Sequence, residues 1–387
     1  MIKRIVNLSK TNSFFLFGAR GSGKTTLLEA CFSKEDSLFV DLLDIEFLDQ
    51  LMLNPKRFEA LIDAPENLRK RVIVDEVQKF PKLLDVVHSQ IQKRKRQFIL
   101  TGSSSRRLKQ QGTNLLAGRA WVYNLFPLST LEIGSDFDLK KALEWGGLPE
   151  AYLSNSFEAA KEFLTAYVGT YLQKEIQQEQ WVRNIQPFRK FLAIAAQMNG
   201  KIINKSRIAR EVGIDDVTVA NYFEILEDTL IGWHLPSYHN SVRKAQKVMP
   251  KFYFIDNGLK RALDKTLTVE LLPQTRDWGD AFEGWVILEF LKNSSYKRLD
   301  WEFSYLRTKD DVEIDLIVIR PGDKKLLIEI KSKDQVCSED ANSLEKLGPD
   351  IDPKAERLLL SRDKLEQKFG KTRAIHWQLA LKELFTS

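Results

Sequence analysis

The segment Gly18-Ala19-Arg20-Gly21-Ser22-Gly23-Lys24-Thr25 fits the spacing G-x-x-x-x-G-K-[ST] at every constrained position. Glycines there let the backbone bend around a phosphate chain so that several N–H groups point at its oxygens. The N-terminus of the following helix adds partial positive charge. Lys24 is placed to reach β- and γ-phosphates, Thr25 to ligate Mg²⁺, and Ser22 and Thr26 to line the loop and the helix start. An apolar run precedes the loop and a helix over Thr26–Phe32 follows it. That context separates a phosphate cradle from an ordinary glycine-rich turn.

A triphosphate site needs a second half, an apolar strand that ends in an acid. Val72-Ile73-Val74-Asp75-Glu76 supplies it, with Asp75 expected in the Mg²⁺ shell and Glu76 polarising the attacking water. The next apolar run ends in Thr101-Gly102-Ser103-Ser104, which presents hydroxyls where a γ-phosphate would lie. Ser103 is the candidate, although Gly102 can bend the strand and leaves open which hydroxyl serves.

A second constellation lies near the C-terminus. Glu313–Val318 and Leu326–Lys331 read as two strands joined through Gly322. Side chains alternate along a strand, so Glu329 and Lys331 share a face, and a turn centred on Gly322 sets Asp315 opposite Glu329. A helix over Asp280–Lys292 carries Glu283 as a further carboxylate. Carboxylates that bind a divalent ion beside a lysine that holds water and offsets developing charge are what a phosphodiesterase needs. The plain alternative is a salt-bridged strand pair on an exposed sheet face.

These residues must be carried by a chain of 387 residues, enough for two or three domains at roughly 150 residues each. A hydrophobic fraction of 43% and a charged fraction of 29% describe an ordinary globular protein and exclude disorder. Lys+Arg 59 against Asp+Glu 53 leaves +6, which permits a polyanionic partner without demanding one. Cys31 and Cys337 stand far apart and the histidines are scattered, so neither a disulfide framework nor a zinc cluster is expected. No apolar run approaches the roughly 18 residues of a membrane span, and a cytoplasmic protein is expected.

Strands are predicted over Ser13–Gly18, Ser37–Leu42, Arg71–Asp75, Gln97–Thr101 and Trp121–Leu125, alternating with helical stretches as in a covered parallel sheet. The basic run Lys93–Arg96 reads as a solvated helix end. From Leu139 the pattern turns helical, including Glu158–Gln178 and Phe188–Met198. Helix Ser206–Val212, a turn at Gly213 and helix Asp215–Leu230, capped by Asp215, have helix-turn-helix spacing. Arg210, Thr218 and Asn221 are its candidates for reading DNA. The acidic start Asp215-Asp216 would repel phosphate, so a winged-helix packing module is an equal reading. A strand over Phe252–Ile255 and mixed segments complete the chain.

Residues 1 to about 330 resemble a prokaryotic family of AAA-type P-loop ATPases with a C-terminal nuclease-like domain. The resemblance is carried by Gly18–Thr25, Asp75–Gln78, Leu100–Ser104, Leu116–Arg119, Phe126–Ser129, Gly146–Pro149, Pro250–Asp256 and Phe282-Glu283. It implies an α/β fold class: an AAA-type parallel sheet over 1–135, a helical and winged-helix-like segment over 136–240, and a restriction-endonuclease-like domain over 241–387. The set Glu283, Asp315, Glu329 and Lys331 is similar to the PD-(D/E)xK nuclease core, with Ile314 where that motif usually has proline. The resemblance implies ATP and Mg²⁺ as ligands. A second divalent ion at the nuclease-like site, a DNA partner, and a homo-oligomer in which Arg119 reaches a neighbour's γ-phosphate would follow from it. The rival readings are a nucleotide-dependent switch or scaffold with an inert C-terminal domain, and a DNA-binding regulator.

Overall fold

The computed structural model describes residues 2–104, 106, 108, 116, 118–172, 182, 184–239 and 249–386. The chain forms two compact units, Val6–Phe126 with Ile225–Ile231, and Met1–Ile5 with Pro127–Glu224 and Gly232–Ser387. Its architecture is α/β throughout.

In the first of these units, β1 (Phe14–Phe17), β2 (Ser37–Asp41), β3 (Arg71–Asp75), β4 (Phe98–Gly102) and β5 (Trp121–Asn124) form a parallel sheet in the order β2-β3-β4-β1-β5. The run Phe-Phe-Leu-Phe is buried at every position, as a central strand covered on both faces requires. Phe15 and Phe17 stack at 5.5 Å between ring centroids, and Phe14 meets Tyr123 edge-on at 5.1 Å. Register then fixes the site: Phe17 pairs with Gly102, and Val74 with Leu100, so β1, β3 and β4 end along one edge. Such edges are where open parallel sheets bind ligands. Helices α1 (Lys24–Cys31), α2 (Ile45–Leu53), α3 (Lys56–Asp63) and α4 (Leu83–Arg94) follow the strands.

The basic run Lys93–Arg96, which straddles the end of α4, does not behave as one solvated end. Arg96 is buried, and its guanidinium donates to the carbonyls of Ile62 at 2.6 Å and Lys70 at 3.0 Å, and to that of Asn67. A planar fork with five donors can satisfy a loop's carbonyls in this way, which sequence charge alone does not reveal.

The other unit begins with helices. These include α5 (Leu139–Trp145), α6 (Pro149–Tyr152), α7 (Phe157–Ala166) and α8 (Ile185–Gln197). The predicted helix over Glu158–Gln178 is α only to Ala166, and residues 173–178 lie outside the described set. Helices α9 (Lys205–Val212) and α10 (Asp216–Asp228) flank Gly213, whose φ of 86° only glycine adopts without strain. Asp215 caps α10, accepting from the Thr218 amide at 2.7 Å and from its hydroxyl at 2.8 Å. One of the candidate DNA-reading side chains is therefore engaged in the cap.

Strands β6 (Gly232–Leu235) and β7 (Lys251–Phe254) pair antiparallel, and α11 (Asn257–Leu263) follows. Asp256 is the pivot here. Its carboxylate accepts from the amides of Gly147 at 2.6 Å, Leu148 at 3.0 Å and Leu259 at 2.8 Å, fastening the Gly146–Pro149 segment to the start of α11. At Gly146, with φ of 78°, a Cβ would strike the same carboxylate.

The long helix α12 (Arg276–Lys297) then leads into a six-stranded mixed sheet. Its strands are β8 (Glu302–Arg307), β9 (Glu313–Ile319), β10 (Leu326–Ile330), β11 (Glu356–Ser361), β12 (Gln367–Phe369) and β13 (Thr372–His376), in the order β12-β13-β11-β10-β9-β8. Among them, β8, β9 and β10 pair antiparallel, whereas β10, β11 and β13 run parallel. Helix α13 (Asn342–Ile351) precedes β11, and α14 (Trp377–Thr386) follows β13. Among the described residues, no helix is long and apolar enough to cross a membrane.

Candidate functional site

The loop between β1 and α1 is built for close approach to its backbone. Gly21 and Gly23 have φ of 74° and 91°, and a Cβ on Gly18 would lie 2.5 Å from the Leu125 carbonyl oxygen and 2.7 Å from Ser22 Oγ. Gly23 caps α1 without a side chain, and no acidic residue stands in the first turn. The helix N-terminus thus keeps its positive field for an anion. Lys24 is buried, and its ammonium donates to the carbonyls of Gly18 at 2.8 Å and Ala19 at 3.3 Å, which fixes its charge over the loop. Thr25 and Thr26 are exposed at the mouth.

The Asp75 carboxylate reaches this loop from the end of β3, and Glu76 follows it in the turn. Thr25 Oγ1 donates to Asp75 Oδ2 at 3.0 Å, and the Thr101 hydroxyl donates to Asp75 Oδ1. Glu76 sits in the left-handed region with φ of 56°, an unusual conformation for a residue with a side chain. Its amide is held by Asp75 Oδ1 at 3.1 Å and Thr101 Oγ1 at 3.3 Å, which stabilises the turn. The buried Gln78 donates to the Glu76 carboxylate and to Ser103 Oγ at 3.0 Å. A Cβ on Gly102 would fall 2.5 Å from Gln78 Oε1, so glycine there makes room for this amide.

The donor set fits a triphosphate with Mg²⁺. An uncapped helix N-terminus and an ammonium meet at the loop, and a hydroxyl and a carboxylate stand together beside it. Sequence reasoning gave Gln78 no role in this site, and it placed Thr101 only among the hydroxyls facing a γ-phosphate, not as a partner of Asp75. Both lie in quoted motifs, yet only tertiary contact shows that one bridges Glu76 to Ser103 and the other locks Asp75. Arg119 is exposed and follows Leu116 and Gly118, both at positive φ.

The strand hairpin of the C-terminal sheet gathers the second constellation. Leu326 pairs with Val318 and Ile328 with Leu316, which carries Glu329 opposite Asp315. The Ile330 amide donates to Asp315 Oδ2 at 2.8 Å, and Lys331 Nζ lies 2.5 Å from Glu329 Oε1. Glu283 on α12 faces the same cluster, where the Tyr253 hydroxyl donates to its Oε1 at 3.1 Å. Burial, with Glu329 and Glu283 nearby, pushes Asp315 well above the ordinary carboxylate range, and burial also raises Glu329. Lys331 is opposed by burial, but Glu329 and Asp315 outweigh that and lift it to about 12.

Two members of this cluster were not anticipated. Lys251, the first residue of β7, is buried against Glu283 at 3.4 Å and forms an ion pair with Glu313. Glu313 was findable, because it precedes Asp315 by two residues and so shares its face. Lys251 was not, since nothing local marks the start of an apolar strand as a counter-ion. Among the described residues, no group of three His, Cys, Asp or Glu side chains is arranged to hold a metal ion. As they stand, Glu283 is engaged by Lys251, Asp315 by the Ile330 amide and Glu329 Oε1 by Lys331, so the three carboxylates do not make a ready-formed divalent-ion site.

The fold and loop of the first unit define a P-loop nucleotide-binding domain. Residues 10–134 match the profile described as an AAA domain, so this unit is AAA-type and ATPase-like. Residues 136–270 and 278–380 match two domains of unknown function, DUF8612 and DUF4143. The chain is 26% identical over 315 residues to an uncharacterized protein of Mycobacterium tuberculosis, covering 79% of this chain and 67% of that one. It is 23% identical over 366 residues to an uncharacterized protein of Methanocaldococcus jannaschii, covering 85% and 76%. Among solved structures, the Aeropyrum pernix ORC1 protein in complex with DNA matches at 12% identity and TM-score 0.25, covering 67% of this chain and 87% of that one. A STAND-type signal transduction ATPase from Pyrococcus horikoshii matches at 13% identity and TM-score 0.23, covering 76% and 48%. Neither overlay is close.

Proposed function

We propose that the chain is an ATP-driven switch that binds Mg·ATP at Gly18–Thr25 and hydrolyses it. The observation that carries this reading is the pairing of Thr25 with Asp75 beside a glycine loop whose lysine is already aimed over it. Gly18, Gly21, Ser22, Gly23, Lys24 and Thr26 would hold the phosphates. Thr25 and Asp75 would hold Mg²⁺, which would supply charge neutralisation for the phosphates. Glu76 would orient and polarise water, with Ser103 as the polar group nearest the γ-phosphate. Arg119, exposed after the loop, would be offered to a second copy's nucleotide, which makes homo-oligomerisation part of the proposal. Release of a γ-phosphate reorders the segments that hold it, and this would signal nucleotide state to the rest of the chain.

Steady-state hydrolysis and binding of a non-hydrolysable ATP analogue test this together. Glu76→Gln should retain the analogue with hydrolysis reduced by about 100-fold. Retained hydrolysis in that variant would end the assignment of Glu76. Lack of any nucleotide binding by the unmodified chain would end the whole reading.

The convergence of Asp315, Glu329, Lys331 and Glu283 favours a second reading, in which the C-terminal cluster acts on the phosphodiester bonds of DNA with Mg²⁺ or Mn²⁺. Incubating varied DNA substrates with either ion, unmodified chain beside Lys331→Ala, decides it. Equal background in both leaves the ATP-dependent switch with an inert C-terminal domain.

A further inference from the structure

The carboxylate cluster of the mixed sheet contains a cation supplied from outside the strand hairpin. Lys251 belongs to β7, yet its side chain is only 6% exposed and its ammonium lies 3.4 Å from Glu283 Oε1. The same nitrogen pairs with Glu313 Oε1 and stands 5.4 Å from the Tyr305 ring centroid. Tyr253 donates to Glu283 Oε1 at 3.1 Å, and Arg307 approaches Glu313 Oε2 at 4.0 Å. Across the cluster, Lys331 holds Glu329 Oε1, whereas Glu329 Oε2 is buried without a hydrogen-bond partner.

Four carboxylates, those of Glu283, Glu313, Asp315 and Glu329, thus share one region with the ammoniums of Lys251 and Lys331. Buried like charges persist only where cations are provided. Burial opposes the charge on Lys251, but Glu283, Glu313 and Asp315 outweigh it and raise its pKa above the ordinary lysine value.

We propose that Lys251 is a resident counter-ion that takes the place of a divalent cation, keeping Glu283 and Glu313 out of any ligand set. What remains for an ion is the partnerless Glu329 Oε2 with Asp315, too few groups for a full protein-made site. The inference rests on the reading of this cluster as one directed at phosphodiesters. In that reading Lys251 limits the cluster to one weakly held ion, and its release from Glu283 would admit tighter binding.

Titration of the nucleotide-free full-length chain with Mn²⁺, with free ion followed by its paramagnetic resonance signal, tests this. Asp315→Asn run in parallel isolates the C-terminal contribution, because it leaves the N-terminal site intact. Lys251→Gln should gain an additional Asp315-dependent ion, or tighten the existing one at least tenfold, through loss of a nearby positive charge. The gain should vanish in Lys251→Gln combined with Glu283→Gln, and Lys251→Arg should bind as the unmodified chain does. Should Lys251→Gln fail to fold, the double variant Lys251→Gln, Glu313→Gln removes the pair as a unit and should show the same gain through the freed Glu283. Unchanged Mn²⁺ number and affinity in these variants overturns the role of Lys251, and leaves the phosphodiester reading standing if the unmodified chain binds an Asp315-dependent ion. Absence of such an ion from the unmodified chain together with its appearance in Lys251→Gln supports the counter-ion role and removes the metal-dependent reading. Absence from both overturns both.

Discussion

Thr25 and Asp75 lie fifty residues apart, and the threonine hydroxyl donates to Asp75 Oδ2 at 3.0 Å. This contact joins the first turn of α1 to the end of β3, the two places from which a P-loop domain addresses a nucleotide's magnesium. It is made because β3 and β1 flank β4 in register, so the ends of all three strands come level. Removing the neighbouring ammonium separates phosphate binding from folding. Lys24→Ala should weaken ATP-analogue binding about 10- to 100-fold, in line with losing a charge-assisted contact. Calorimetric titration gives the affinity, and a circular dichroism melt shows whether the sheet survives. Unaltered affinity would remove the loop from the nucleotide site.

Gln78 offers a different test, because it touches Glu76 and Ser103 but not the phosphate loop. It acts as a positioning residue. Gln78→Ala should leave analogue affinity within about twofold while lowering the hydrolysis rate about tenfold, the signature of an interaction used mainly in the transition state. Gln78→Glu should be slower still, since it places a second carboxylate beside Glu76. A change in affinity equal to the change in rate would show that Gln78 merely supports the fold.

Asp256 answers to stability rather than activity. Its carboxylate satisfies three buried amides, and Asp256→Ala would leave them without an acceptor at a cost of about 2–4 kcal/mol. Urea unfolding followed by tryptophan fluorescence should show a lower midpoint. Asp256→Asn, which keeps one acceptor oxygen, should fall between the two. A midpoint that does not move would mean that the Gly146–Pro149 segment is held by other contacts.

His376 gives the pH dependence a definite sign. Burial, then the charges of Lys364 and Arg362, hold its pKa below the ordinary 6.5, and its Nδ1 accepts from the Gln378 amide at 3.3 Å. The folded state therefore binds fewer protons at this residue than the unfolded state does. Its contribution is fully present above 6.5 and is lost as pH falls through the lowered folded value. His376→Gln should lose less thermal stability than the unmodified chain between pH 7 and pH 5. An NMR titration placing the His376 midpoint above 6.5 would contradict this.

Much of the nucleotide domain was legible without coordinates. Runs such as Phe14–Phe17 and Val72–Val74 are short, wholly apolar and bounded by turn residues or charge, which is the pattern of buried parallel strands. The loop at Gly18 was legible for a related reason, since glycine and lysine at fixed spacing encode a backbone shape that local sequence determines. In the C-terminal sheet the opposition of Asp315 and Glu329 followed from a two-residue period and a turn at Gly322.

What local pattern could not reach were the partners brought in from elsewhere in the chain. Arg96 reads as one more charge at a helix end, and only packing reveals that three carbonyls claim it. Lys251 opens an apolar strand, and no spacing rule connects it to Glu283 or Glu313. Sequence by itself determined the strands, the phosphate loop and the acids at the strand ends, because these depend on neighbours along the backbone. Tertiary structure alone decided which charge offsets which, because a buried ion is stabilised by whatever groups the fold brings within a few ångströms, however far away they lie in the chain.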